Sequence, residues 1–177
     1  SKNVKRIQSS NADIENMLNV VLLSEYRRRY ALDQYGTYIK PVVMFKSQRI
    51  DASNEANEKF NEMIETLTAD SLREFLARQE QITMEQDSET LAFAHQYYRE
   101  HDDQLTEIVR EIKREFAPTR IINANDTERT GLLEKGQYDA LNSLESPTNL
   151  YRVIFAVAKL TEGWDVLNLY DIVRLRD

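Results

Sequence analysis

Cysteine is absent from this chain of 177 residues, and glycine and proline are scarce, at four and three residues respectively. The absence of thiols excludes disulfides and thiolate metal sites. The shortage of glycine and proline argues against long flexible linkers. The length suits one domain, or one domain with an elaboration, and is sufficient to bury a sizeable core.

Long apolar runs are also missing, since no stretch approaches the roughly 20 residues of a membrane helix. The first residues, Ser-Lys-Asn-Val-Lys-Arg, contain no apolar signal region. We therefore expect a cytoplasmic protein without a membrane segment. Hydrophobic and charged residues, at 41% and 30%, are typical of a soluble globular protein.

Positive charge is in deficit, because the net charge is −7. A general nucleic-acid-binding module is usually basic, so this balance argues against one, although a larger protein could still form a local basic groove. The densest basic run is Arg27, Arg28 and Arg29. We interpret it as a solvated helix end, where positive charge is favourable to the helix dipole.

Apolar spacing predicts helices that alternate with short strands. An N-terminal helix is expected at about residues 11–31, and a short helix at about 138–144. The predicted strands lie at about 42–45, 121–124, 153–157 and 171–175. This alternation indicates an α/β fold, with a mainly parallel sheet covered by flanking helices.

The stretch at about residues 68–117 is too long for one crossover helix, and it predicts a helical insertion on the sheet. Leu105, Ile108, Val109 and Ile112 recur there at helical spacing. We expect the insertion to bury its own apolar stripes, with Leu105, Ile108 and Ile112 in the core.

The most informative segment is residues 152–166, where a strand of the buried type leads into a loop. The loop contains Gly163, the single tryptophan and Asp165 in consecutive positions. In an α/β sheet, ligands bind at the carboxyl ends of the strands. Gly163 permits close backbone approach, and Asp165 could accept hydrogen bonds from sugar hydroxyls or an arginine. Spacing alone favours a plain β-turn with a packing tryptophan.

Residues 160–166, Leu-Thr-Glu-Gly-Trp-Asp-Val, together with Asn168 and residues 171–175, closely resemble motif V of superfamily-two (DEAD/DEAH-type) helicases. The form is similar to that of the restriction (Res) subunit of type III restriction enzymes. Residues 40–47 resemble the motif IV strand of the same family. The resemblance implies a RecA-like (P-loop NTPase-type) fold, with residues 1–177 forming a single C-terminal motor-domain fragment.

The resemblance also implies roles for the loop residues. Gly163 and Asp165 would face the nucleotide, with Asp165 near the ribose or near the family's arginine motif. Thr161 and Glu162 would couple the ATP cleft to the nucleic-acid groove. These four residues would form the motif V edge of the motor domain.

On the motif IV strand, the resemblance makes Lys46 and Ser47 candidates for contacts with the phosphate backbone. Such contacts fix position without reading sequence. The chain departs from the family at Val157, where DEAD-box relatives carry a threonine for backbone contact. That particular contact is therefore not expected here.

The implied parent is an ATP-dependent DNA helicase or translocase, and hence a hydrolase, that uses ATP and magnesium. Its implied partners are double-stranded DNA, the first motor domain of the same chain and a methyltransferase (Mod) subunit. The chain itself contains no Gly-x-x-x-x-Gly-Lys-Ser/Thr loop, no acidic magnesium motif and no Gln-x-x-Gly-Arg-x-x-Arg motif. Hydrolysis needs a phosphate cradle, a metal and a charge-stabilising arginine. We therefore expect the fragment alone to be inactive and to bind no cofactor tightly.

The alternative hypothesis is a non-catalytic α/β protein-interaction domain that merely shares the strand–loop pattern. The helical insertion would then be the binding surface, and the acidic charge would suit a protein partner.

Four tyrosines are open to two interpretations. They could stack on bases or pack in the core and at domain interfaces, and we favour packing for most of them. The tyrosines in question are Tyr26, Tyr30, Tyr35 and Tyr38.

A metal site is not expected. His95 and His101 lie near Asp102 and Asp103, which could suggest one. However, the six-residue spacing does not place both histidines cleanly on one face of a helix.

Overall fold

The computed structural model describes residues 2–85, 89–124, 135–157 and 169–175. The helices are α1 (Lys2–Tyr35), α2 (Ile50–Thr66), α3 (Ala69–Glu85), α4 (Glu89–Glu100), α5 (Leu105–Glu115) and α6 (Lys135–Asn142). The strands are β1 (Val42–Ser47), β2 (Ile121–Asn123), β3 (Val153–Val157) and β4 (Leu169–Arg174). None of the described helices combines the length and apolar character needed to span a bilayer.

The four described strands form one sheet in the order β2-β3-β1-β4, and every pair in it is parallel. β1 lies between β3 and β4, so the last two strands in the sequence are not neighbours. Helices lie on both faces, which confirms the predicted α/β, RecA-like architecture. Such a sheet needs cover on both faces, and this explains the continuous apolar runs in β1 and β3.

The two faces of the sheet have separate cores because successive side chains of a strand point in opposite directions. Val43 and Phe45 face α1, α2 and the helical insertion, whereas Met44 faces α6 with Leu141 and Leu144. On the larger face, the rings of Phe45, Phe60 and Phe155 lie 5.3 to 5.8 Å apart, centre to centre. Burial of these aromatic side chains is a dominant source of stability.

The helical insertion buries its stripes, as the sequence predicts. Leu105 and Ile112 are 0% exposed and Ile108 is 1% exposed. The insertion has no core of its own, however, because these residues share one cluster with α1 and the sheet. The Tyr98 hydroxyl donates a hydrogen bond of 2.6 Å to the Leu22 carbonyl and so ties α4 to α1.

α1 is longer than the predicted 11–31 helix. Apolar spacing marks only the part of a helix that packs, whereas the backbone continues until a residue stops it. Gly36 is that residue, with a left-handed φ of 61°. Its N–H binds the Leu32 carbonyl at 3.0 Å, and the N–H of Thr37 binds the Ala31 carbonyl at 3.2 Å.

The prediction that Arg27, Arg28 and Arg29 form a solvated helix end is wrong. They lie inside α1, and their side chains are 26%, 17% and 15% exposed. Arg28 donates to both oxygens of Glu25 at 2.8 and 2.7 Å, and Arg27 pairs with Asp171 of β4. These arginines are structural because they connect α1 to its neighbours.

Candidate functional site

Because all four strands are parallel, their carboxyl ends meet at one edge of the sheet. β1 ends at Ser47, β2 at Asn123, β3 at Val157 and β4 at Arg174. α2 starts at Ile50, so its amino end lies at the same edge. This carboxyl edge is where α/β sheets bind ligands.

Two cations lie side by side at the carboxyl edge. Lys46 is in register with Arg174 on one neighbouring strand and with Ala156 on the other. The N–H of Leu175 binds the Lys46 carbonyl at 2.9 Å, which locks this register. Lys46 is partly exposed and Arg174 is exposed, and neither makes an ion pair within the described ranges. Arg174 was not singled out from the sequence, because strand pairing cannot be read from spacing.

Ser47 points to the opposite face from Lys46, toward the helical core. It is 4% exposed, and its Oγ has no hydrogen-bond partner among the residues described. An unsatisfied buried hydroxyl is costly. The two candidates for backbone contacts thus lie on opposite faces of β1, with Lys46 partly exposed and Ser47 buried.

An amide pair and an exposed arginine complete the polar groups at the carboxyl edge. The Asn123 side chain donates a hydrogen bond of 2.9 Å to the Asn54 side chain of α2. Arg49 lies in the short turn between β1 and α2, with its side chain 67% exposed and 3.5 Å from Asp51. The edge therefore has polar groups over β2 and β1 as well as over β4.

The predicted motif V residues, Thr161, Glu162, Gly163 and Asp165, lie outside the described residues. They follow β3 directly in the sequence, and β3 is well placed by its pairing with β1 and β2. Val157 is the last residue of β3 and pairs with Ser47. Its apolar side chain can donate no hydrogen bond to a phosphate, in keeping with the expected departure from DEAD-box relatives.

The opposite, amino edge of the sheet contains a buried ionic network that sequence reasoning missed. Arg152 precedes β3, is 0% exposed, and donates to Glu115 at 2.5 Å, to the Ser24 hydroxyl at 2.8 Å and to the Pro41 carbonyl at 2.8 Å. Glu25 is also 0% exposed and lies 3.7 Å from Arg152. A lone arginine before an apolar run gave no signal that it would be buried.

Lys40 lies beside this network, where its ammonium donates a hydrogen bond of 2.9 Å to Asn149. Burial, and then the charges of Arg152 and Arg120, lower the pKa of Lys40 to about 8. Residues 40–47, the segment that resembles motif IV, thus run from a structural cluster on the amino edge to Lys46 and Ser47 on the carboxyl edge.

The two histidines lie in different surroundings. His95 is 0% exposed and its Nε2 donates to the Asn19 side chain at 2.8 Å. Burial, and then the charge of Arg99, lower the pKa of His95 to about 4. His101 stacks on Tyr97 with ring centres 4.1 Å apart. Within the described ranges, no three acidic, histidine or cysteine side chains gather as metal ligands would.

Comparison with known proteins identifies one relative along almost the whole chain. It is the "Probable type III restriction-modification enzyme HindVIP Res subunit" of Haemophilus influenzae, 31% identical over 183 aligned positions that cover 99% of this chain. The chain is a homologue of a Res subunit. The resemblance to a Res subunit is thus supported by similarity over almost the whole of this chain.

The aligned part is 36% of the relative, so this Res homologue spans about a third of the curated protein that it matches. No family model matches the chain, and no solved structure matches it.

Proposed function

We propose that the chain is part of an ATP-dependent DNA helicase or translocase, the Res subunit of a type III restriction-modification enzyme. It would supply the motif IV and motif V edges of the ATP cleft and of the DNA track. The observation that carries the proposal is the pairing of Lys46 with Arg174 at the carboxyl edge. Similarity to a Res subunit across 99% of the chain supports the same assignment.

Lys46 and Arg174 are suited to hold the DNA backbone. They lie on paired, parallel strands, and neither is neutralised by a carboxylate within the described part of the chain. Two adjacent cations can bind neighbouring phosphates and release counterions on doing so. Contacts of this kind would fix the register of the DNA without reading its sequence.

Gly163 and Asp165 would approach the nucleotide, and Thr161 and Glu162 would couple it to the DNA track. The sequence contains no phosphate-binding loop, and the described residues form no carboxylate cluster of the kind that holds magnesium. The phosphate loop and the magnesium site would therefore belong to the first motor domain of the parent. DNA and a methyltransferase (Mod) subunit would be partners of that parent.

The test uses the full-length parent with Lys46→Ala and Arg174→Ala combined. We expect the DNA concentration for half-maximal ATP turnover to rise about tenfold or more, and the slope of log affinity against log salt to fall by about 1 to 2. Maximal turnover should change little. Arg110→Ala is the control, because Arg110 is exposed on α5, away from the carboxyl edge. An unchanged salt slope would remove the pair from the DNA track.

A second arm addresses the nucleotide side. Asp165→Ala in the parent should lower DNA-stimulated ATP turnover while the protein stays folded. Loss of turnover in this variant, with DNA affinity retained, would separate the nucleotide edge from the DNA edge. Full turnover in a folded Asp165→Ala variant would take Asp165 out of the ATP cleft.

A further inference from the structure

Aromatic side chains form a continuous chain between α1 and α4, away from the carboxyl edge. Tyr35, Tyr30 and Tyr26 follow one another along α1 with ring centres 6.2 and 5.6 Å apart. Tyr26 then contacts Tyr97 of α4 at 5.5 Å, and Tyr97 stacks on His101. The packing interpretation of the tyrosines therefore holds for Tyr26, which is partly buried.

Two members of this aromatic chain are exposed, Tyr30 at 42% and Tyr35 at 73%. Phe93 of α4 is exposed as well, at 56%. Tyr30 and Phe93 line a groove of about 470 Å³ between the two helices, which we call the tyrosine groove. Large apolar side chains gathered in one groove are unusual on a surface without a binding role.

The charge of the tyrosine groove decides what it can accept. Asp33 and Glu100 line it, together with Gln34 and Gln96, and its described lining contains no lysine or arginine. A nucleic acid would bring phosphates against two carboxylates, so stacking on bases is disfavoured. A cation gains from both the carboxylates and the faces of the rings.

We propose that the tyrosine groove docks a protein segment that presents an arginine side chain. A guanidinium is planar and weakly hydrated, so it can stack on a tyrosine face while it donates hydrogen bonds to carboxylates. Tyr30, Tyr97 and Phe93 would supply the faces, and Asp33 and Glu100 the acceptors. This assignment is independent of the proposed motor function, because it uses none of the residues at the carboxyl edge.

The test compares two synthetic peptides, acetyl-Leu-Arg-Leu-amide and the same peptide with citrulline in place of arginine. Citrulline keeps the shape of the side chain and removes its charge. Nuclear magnetic resonance of the ring protons reports binding at Tyr30, Tyr97 and Phe93. We expect the arginine peptide to bind about tenfold more tightly than the citrulline peptide, with affinity that falls as salt is added.

Variants locate the site. Asp33→Asn combined with Glu100→Gln should weaken the arginine peptide about tenfold, and Tyr30→Leu should weaken it without changing the fold. Glu74→Gln is the matched control, because Glu74 is an exposed helical carboxylate outside the groove, and it should leave binding unchanged. Equal binding of the two peptides, no shift with either, or tighter binding of a single-stranded oligodeoxynucleotide would each overturn the proposal.

Discussion

Arg152 carries its charge where no solvent reaches it. Besides its three hydrogen bonds, its guanidinium lies 4.6 Å from the centre of the Phe116 ring. Burial lowers the pKa of Arg152, and the carboxylates of Glu25 and Glu115 oppose that change. The side chain joins α1, α5 and the start of β1, so its removal would take a buried cation away from Glu25 and Glu115 and a hydrogen bond away from Ser24 and from the Pro41 carbonyl.

We expect Arg152→Met to destabilise the protein by about 3–5 kcal/mol, the usual cost of breaking a buried ion pair by removing one partner. Urea unfolding followed by circular dichroism measures this. Arg110→Met is the control, since Arg110 is 70% exposed and pairs with Glu107, which is exposed on the same helix. A loss no larger than that of the control would mean that the network contributes nothing to stability.

The buried His95 should make the free energy of unfolding depend on pH. Its pKa of about 4 in the folded protein lies below the ordinary value of about 6.5. Between these values the unfolded chain binds a proton that the folded chain does not, so acid favours unfolding. The contribution of His95 is complete above about pH 6.5 and is lost as the pH falls toward 4.

The measurement is the free energy of unfolding at pH 7 and at pH 5. The decrease between them should be about 1–2 kcal/mol smaller in His95→Gln than in the unchanged protein. Glutamine can still donate to Asn19 but does not titrate. An identical decrease in both proteins would place the pH dependence elsewhere.

At the scale of elements, α5 is the helix that joins the insertion to the rest of the fold. Its stripe enters the core shared by α1, α2 and the sheet, so the helix is held by long-range packing. Its polar face carries Glu111 and Glu115, which pair with Arg28 of α1. One short helix thus connects the insertion to the sheet through both apolar and ionic contacts.

Ile108→Asp should unfold the protein, because a buried unpaired carboxylate is among the few severe single-site changes. Thr106→Asp is the matched control, since Thr106 is exposed on the same helix. We expect the control to keep its far-ultraviolet circular dichroism and its cooperative thermal transition. An Ile108→Asp variant that also keeps both would contradict the prediction.

At the scale of the whole molecule, the isolated chain should behave as half of a motor cleft. We expect it to hydrolyse no ATP, with or without DNA. Its dissociation constant for ATP should exceed about 1 mM, which corresponds to a binding free energy weaker than roughly 4 kcal/mol. The reason is the lack of a phosphate loop and of the family's arginine motif in the sequence. Calorimetry and a turnover assay test both statements, and micromolar ATP binding would contradict the half-cleft hypothesis.

The sequence by itself determined the features that contiguous residues encode. Periodicity located α5 and its buried stripe, apolar runs located β1 and β3, and the motif at residues 160–166 identified the Res resemblance. Each of these features depends on residues that are close together in the sequence, within one or two helical turns or within one strand. For the same reason the ends of α1 were misjudged, because packing periodicity stops before the helix does.

Only the tertiary structure decided which distant residues meet. Lys46 and Ser47 are adjacent in the sequence, yet Lys46 is partly exposed and Ser47 is buried. The reason is that their side chains point to opposite faces of the sheet, and α2 packs on the face of Ser47. Arg152 and Ser24 bind each other across 128 positions of sequence. Strand register places Arg174 beside Lys46, and helix packing assembles the tyrosine groove. Such pairings depend on how elements pack together, and no local pattern along the chain encodes them.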